Sequence, residues 1–270
     1  MRPLSIANKP EGSGKKPALA LGIQAAKHDV LLFTDADCQP TSEYWLRDMQ
    51  KIMDDSVEIG LGYGPYYTKP GFLNKFIRFE TILTAIQYFS YALIGQTYMG
   101  VGRNLIYRKH LFGQADGFKK HENLLSGDDD LFINEVATKD NVAININKRS
   151  FVYSDPQDSW KAYYRQKARH VSTGKHYKLN HKILLGFFSS SHFFHYVGGV
   201  MLLLTKTSMI FVILLYVVRI LVILVICKPI LRKLQDRNLY CWVPVLDTAY
   251  VFFYLTFALP LFTGKINRWT

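Results

Sequence analysis

Apolar residues fall in short runs over the first 180 positions and in long runs from Ile183 onward. The run 207–226, TSMIFVILLYVVRILVILVI, is long enough to cross a hydrocarbon core of about 30 Å. The stretch 240–262 predicts a second span. The stretch 183–204 is a weaker third, diluted by Ser189, Ser190, Ser191, His192 and His195, and predicts either a span or a helix lying in the interface. The pattern predicts a soluble domain over 1–180 and a membrane domain of two or three helices over 183–264; a buried pair of soluble helices is the weaker alternative. Arg219 is the one charge within 207–226, and at mid-bilayer it would cost about 2.5–3.5 kcal/mol, so it is expected to snorkel toward the nearer end. Lys228, Arg232, Lys233 and Arg237 lie between the two stronger spans and predict a cytoplasmic loop there.

The first 180 residues alternate strand-like and helix-like patterns. Leu4–Ala7 reads as a strand, 8–17 as a Gly-rich basic loop and 18–27 as a helix. Val30–Phe33 reads as a short buried strand, running into Asp35, Asp37 and the turn marked by Pro40. A surface helix over 43–53 and a glycine-interrupted strand over 57–67 follow. Over 72–93, Phe72, Phe76, Phe79, Leu83, Ile86 and Leu93 recur at helical spacing, as in a core helix or an amphipathic helix at a membrane surface. A strand over 102–107 and a loop over 113–118 come next, then a helix opening on Asp128, Asp129 and Asp130. An aromatic and basic segment over 159–174 precedes the apolar region. This alternation predicts an α/β domain built on a parallel sheet.

Composition narrows the function classes. The net charge of +12 suits an anionic partner, but no basic stripe interleaved with stacking aromatics suggests nucleic acid, so membrane headgroups are the expected anions. Cys38, Cys227 and Cys241 form neither a zinc spacing nor a disulfide framework. The polar, proline-broken N-terminus does not predict a cleavable leader.

Three clusters carry candidate chemistry. Lys16 is followed by Pro17, so the loop 8–17 is not a P-loop, yet Lys15, Lys16 and a helix N-terminus favour a phosphate; a solvated turn is the bland alternative. Asp35 and Asp37 repel each other unless solvated or bridged by a cation. Three aspartates in a row exceed what a helix cap needs, and their repulsion should raise at least one pKa into the range of a general base.

In this order, GKKPALA (14–20), DAD (35–37), GDDDL (127–131) and QKARH (166–170) resemble the motifs of membrane-anchored family 2 glycosyltransferases of the GT-A type. The resemblance implies a Rossmann-like, mostly parallel sheet followed by C-terminal transmembrane helices. It also implies an inverting, metal-dependent enzyme that moves a sugar from a UDP- or GDP-sugar to a lipid-linked or glycan hydroxyl. Asp35 and Asp37 would hold Mg²⁺ or Mn²⁺, Lys15 or Lys16 would neutralise phosphate, and Asp128, or else Asp129, would be the base. Gln166, Arg169 and His170 would serve the acceptor or the diphosphate. The protein is then expected in the cell membrane, multi-pass, with its catalytic domain cytoplasmic. Against the family pattern, His170 stands where Trp is usual and Ala20 where Asn is usual, and the N-terminal strand-helix-strand unit is expected to be missing. An inactive membrane protein keeping the fold as an interaction module is the rival reading. A metal-dependent hydrolase is weaker, because the histidines are scattered.

Overall fold

The computed structural model describes residues 14–205 and 209–263, with side chains as far as 257. The strand expected over 4–7, most of the loop 8–17 and the segment from 264 onward lie outside the described residues.

Helix α1 (Lys16–Ala25) leads to strand β1 (Val30–Phe33), the turn holding Asp35 and Asp37, and strand β2 (Cys38–Pro40). Helix α2 (Trp45–Gln50) and strand β3 (Ile59–Gly62) precede the long helix α3 (Phe72–Leu93). Strand β4 (Leu105–Arg108), the short helices α4 (His110–Gln114) and α5 (Asp130–Val136), and strands β5 (Val142–Asn145) and β6 (Val152–Ser154) complete the α/β part. Helix α6 (Trp160–Ser172) then leads into α7 (Leu179–Leu204), α8 (Met209–Lys233) and α9 (Val243–Thr263).

The main sheet has the order β1-β4-β3-β5. β3 and β5 pair in parallel, and β4 is antiparallel to both of its neighbours. Strands β1, β3 and β5 therefore share one direction, and the mostly parallel expectation fails at β4. Packing explains how a reversed strand fits there. A Cβ at Gly60 would come 2.4 Å from Ile106 Cγ2, and one at Gly62 would come 2.4 Å from Asn104 Cγ. The glycines that interrupt β3 let β4 approach closely. Asn104 then fixes the register, donating to the carbonyls of Tyr63 and Ser150 at 2.8 Å each and accepting from Trp45 Nε1 at 3.0 Å. Strand β1 is half-buried rather than fully buried, because it pairs on one side with β4 and is an edge of the described sheet. A second ribbon, β2 with β6, places Cys38 opposite Ser154.

Helix α3 resolves its two readings in favour of the core. Phe76 and Phe79 are buried, and Leu83 and Ile86 pack against the core, whereas Phe72 and Leu93 at its ends are exposed. Phe76 and Phe79 meet the ring of Tyr250 on α9. Arg78 donates to Asp236 through Nε at 2.9 Å and to Asn238 at 2.6 Å, which fastens α3 to the turn between α8 and α9. The basic loop between the spans thus sits at the end of the bundle that faces the α/β part.

Among the described residues three helices are long and apolar enough to cross a membrane, Leu179–Leu204, Met209–Lys233 and Arg237–Phe257. Phe187, Ile210 and Val225 leave 72–80% of their surface exposed, which suits lipid contact rather than water. Arg219 has a partner inside the bundle. Its guanidinium is bidentate on Asp247 of α9, at 3.0–3.2 Å. His192 is buried in the same cluster, with Nε2 at 3.3 Å from Asp247 and Nδ1 at 3.1 Å from Tyr254. Removing one partner strands a charge in an apolar bundle. Asp247→Asn is expected to cost about 3–5 kcal/mol, read as a lower melting temperature in detergent. The double change Arg219→Met with Asp247→Leu should recover most of that loss.

Candidate active site

The chain leaves β1 at Phe33 and turns at once, with Cys38 N–H donating to Asp35 C=O at 3.1 Å. This turn presents one ligand atom each from Asp35, Asp37 and Cys38 within 4.8 Å of one another. Burial first, and then the nearby carboxylates, push the Cys38 thiol up to about 11, so two carboxylates supply the anionic charge. An oxygen-rich, doubly anionic pair of this kind suits a hard divalent cation such as Mg²⁺ or Mn²⁺.

Lys15 and Lys16 divide their work. Lys15 Nζ lies 3.1 Å from Asp35 Oδ1 and 2.9 Å from Asp128 Oδ2, joining the turn after β1 to the aspartate run. Burial disfavours its ammonium, but Asp128, Asp129 and Asp35 outweigh that and hold its pKa above the ordinary value. Lys16 points the other way. It is buried, and its ammonium donates to the carbonyls of His121, Leu124 (2.8 Å) and Ser126 (2.7 Å), tying down the loop that leads to the aspartates. The side chain facing the open cavity is that of Lys15.

The three aspartates have three environments. Gly127 turns the chain at φ +97°, where a Cβ would meet Leu131 Cδ1 at 2.5 Å. Asp128, next in line, is buried, and desolvation followed by the charge of Asp129 raises it to about 6. Asp129 caps α5, accepting from Asp130 N–H at 2.8 Å, and its other oxygen accepts from Gly102 N–H at 2.7 Å. Asp130 points into the core and accepts from Thr173 and from Tyr177 OH (2.8 Å). Burial and then Asp129 push it up to about 7. Asp128 alone of the three faces Lys15.

A cavity of about 1110 Å³ holds these groups together. Its lining includes Lys15, Asp35, Asp37 and Asp128, Gln166, Arg169 and His170 of α6, and Tyr250, Phe253 and Phe257 of α9. All nine sequence-predicted site residues except Lys16 line this one space. Gln166 Oε1 is buried without a hydrogen-bond partner among the described residues. Desolvation, and then the cations Lys167, Arg169, Arg103 and Lys15, hold the His170 imidazole well below its ordinary pKa, so it is neutral at pH 7. Sequence reasoning missed two further lining groups. Lys167 pairs with Glu80 of α3 at 2.5 Å, and Arg103 sits just before β4. Lys167 stood inside a recognised motif, whereas nothing in the local sequence marks Glu80 or Arg103.

No curated protein matches the chain in sequence. Among solved structures, a mannosyltransferase from Pyrobaculum calidifontis in complex with GDP-Man and Mn²⁺ superposes with a TM-score of 0.47 at 13% identity, over 88% of this chain and 66% of that one. The sequence model described as glycosyl transferase family 21 matches residues 4–261, in agreement with the glycosyl transfer that the motif resemblance implies. The chain belongs to glycosyl transferase family 21.

Proposed function

We propose that the protein is a membrane-bound, metal-dependent inverting glycosyltransferase that moves a sugar from a UDP- or GDP-sugar to a lipid-linked or glycan hydroxyl. The observation that carries this reading is the ammonium of Lys15, shared between Asp35 of the metal-ligand turn and the buried Asp128. It puts a metal-binding corner, a phosphate-neutralising cation and a base side by side in one cavity.

Asp35 and Asp37 would hold Mg²⁺ or Mn²⁺, which when bound supplies positive charge to the leaving diphosphate. Lys15 adds its own charge there. Asp128, ionised above about pH 6, takes the proton of the acceptor hydroxyl as the new carbon–oxygen bond forms. The bond from the anomeric carbon to the diphosphate breaks on the opposite face, and the diphosphate leaves with the electron pair. Asp129 is committed to capping α5 and to Gly102, which favours Asp128 as the base. The neutral imidazole of His170 and the unpartnered Gln166 Oε1 are hydrogen-bond acceptors for the incoming hydroxyl group. The aromatic lining that α9, a helix of membrane-spanning length, gives the cavity supports an acceptor that arrives from the bilayer. The basic loop at the same end of the bundle as the α/β part supports a cytoplasmic site.

The test is calorimetric titration of the detergent-solubilised full chain with GDP and with UDP, each with and without Mn²⁺. Binding of one nucleotide that requires the metal is expected. Failure of both to bind overturns the donor reading.

A further inference from the structure

The cations in and around the cavity differ in one respect. Lys15 is paired with Asp35 and Asp128, Lys167 with Glu80, and Lys16 with three carbonyls. Arg103 and Arg169 both line the cavity with no carboxylate within ion-pair distance among the described residues. Arg169 has only a 3.5 Å side-chain contact to His170 Nε2, whereas the Arg103 side chain is held on several sides. Its Nη1 donates to Ser154 Oγ at 2.5 Å, and its guanidinium lies 4.3 Å above the ring of Tyr66. Tyr66 and Ser154 are themselves joined by a backbone bridge, so the ring and the hydroxyl form one support. Gly64 completes it. A Cβ there would come 2.7 Å from Arg103 Nε and 2.9 Å from its Cγ, so the arginine lies across a glycine that makes room for it.

Position matters as much as support. Ser154 is opposite Cys38 in the β2–β6 ribbon, and Cys38 directly follows Asp37. Arg103 is therefore held beside the metal-ligand turn, and its charge acts on both Cys38 and His170. A guanidinium that is oriented by three neighbours and lacks a counter-ion is arranged for an anion from outside. Its planar fork fits phosphate oxygens with two parallel hydrogen bonds, which a lysine cannot do. On the donor reading above, we infer that Arg103 binds the diphosphate of the nucleotide sugar and holds it against the metal-ligand turn.

The experiment is calorimetric titration of the detergent-solubilised full chain with GDP, UDP, the matching nucleoside and farnesyl phosphate, all with Mn²⁺. Wild type is compared with Arg103→Met, Arg103→Lys and Gly64→Ala. Arg103→Met should weaken the bound nucleoside diphosphate by about 10–100-fold, the loss of hydrogen bonds to a charged group. It should leave the nucleoside unchanged. Arg103→Lys should recover part of the loss, and Gly64→Ala, which leaves the charge in place but crowds it, should weaken the diphosphate as well. Circular dichroism and the melting temperature of each variant separate these losses from misfolding. If wild type binds neither GDP nor UDP, the donor reading falls and this assignment with it. If wild type binds one of them and Arg103→Met binds it equally tightly, the donor reading stands and the role of Arg103 is overturned. Loss confined to farnesyl phosphate would also overturn it, by placing Arg103 with the acceptor.

Discussion

Asp128→Asn is expected to lower the rate of sugar transfer by about 10²–10⁴-fold, the usual contribution of a positioned general base, while nucleotide binding stays nearly unchanged. Asparagine keeps the shape of the side chain and removes the ability to take a proton. The pH dependence gives an independent reading. Burial and Asp129 place the Asp128 carboxyl at about 6. The wild-type rate should therefore climb as pH rises, with about a tenth of the base ionised at pH 5 and about nine-tenths at pH 7. The variant should lack that limb. Stability moves differently. A carboxyl whose folded pKa lies above its unfolded value destabilises the fold increasingly as pH rises from about 4 to 6, because ionisation is easier in the unfolded chain. Asp128→Asn removes that penalty but also one of the two carboxylates on Lys15, which Asp35 still holds, so its melting temperature at pH 7 should change little even as activity disappears. A variant that keeps both full rate and the acidic limb would move the base elsewhere, with Asp129 next to test.

Much of this architecture is legible in the sequence because its signals are local. The apolar run Val30–Phe33 followed by acids predicts β1 and its turn, and the helical spacing of 72–93 predicts α3 over the same residues. What escapes is what depends on partners far along the chain. Strands β2, β5 and β6 are three or four residues long, too short for a period of two to stand out, and β2 includes Pro40, which reads locally as a turn. The close packing of the Ile106 and Asn104 side chains on β3 depends on Gly60 and Gly62 leaving them space, a match visible only once the strands lie together. Arg219 alone predicts snorkelling; its partner Asp247, 28 residues later, is not marked by the local sequence. The aspartate run is the subtler case. Its composition announces an unusual carboxyl, but only the partners Lys15, Gly102 and Tyr177 divide Asp128, Asp129 and Asp130 into a base candidate, a cap and a core anchor.

The same division of partners decides which acid best tests the metal. Asp35 is paired with Lys15, so removing its charge would also loosen the ammonium from the turn and mix two effects. Asp37 makes a single weak contact, the Cys38 thiol at 3.6 Å, and is otherwise uncommitted among the described residues. Asp37→Asn therefore removes one of two anionic ligands with little cost to the fold. Because affinity for hard cations follows the number of charged oxygens that a site offers, the Mn²⁺ concentration for half-maximal donor consumption should rise by at least about tenfold. Turnover at saturating donor should fall in step, since a weakly held ion no longer offsets the charge of the leaving group. Electron paramagnetic resonance of Mn²⁺ mixed with the protein and nucleotide measures the bound ion without turnover, and should show the same shift. Should Mn²⁺ bind the variant as tightly as wild type, the turn after β1 is not the metal site, and its two acids meet only water and Lys15.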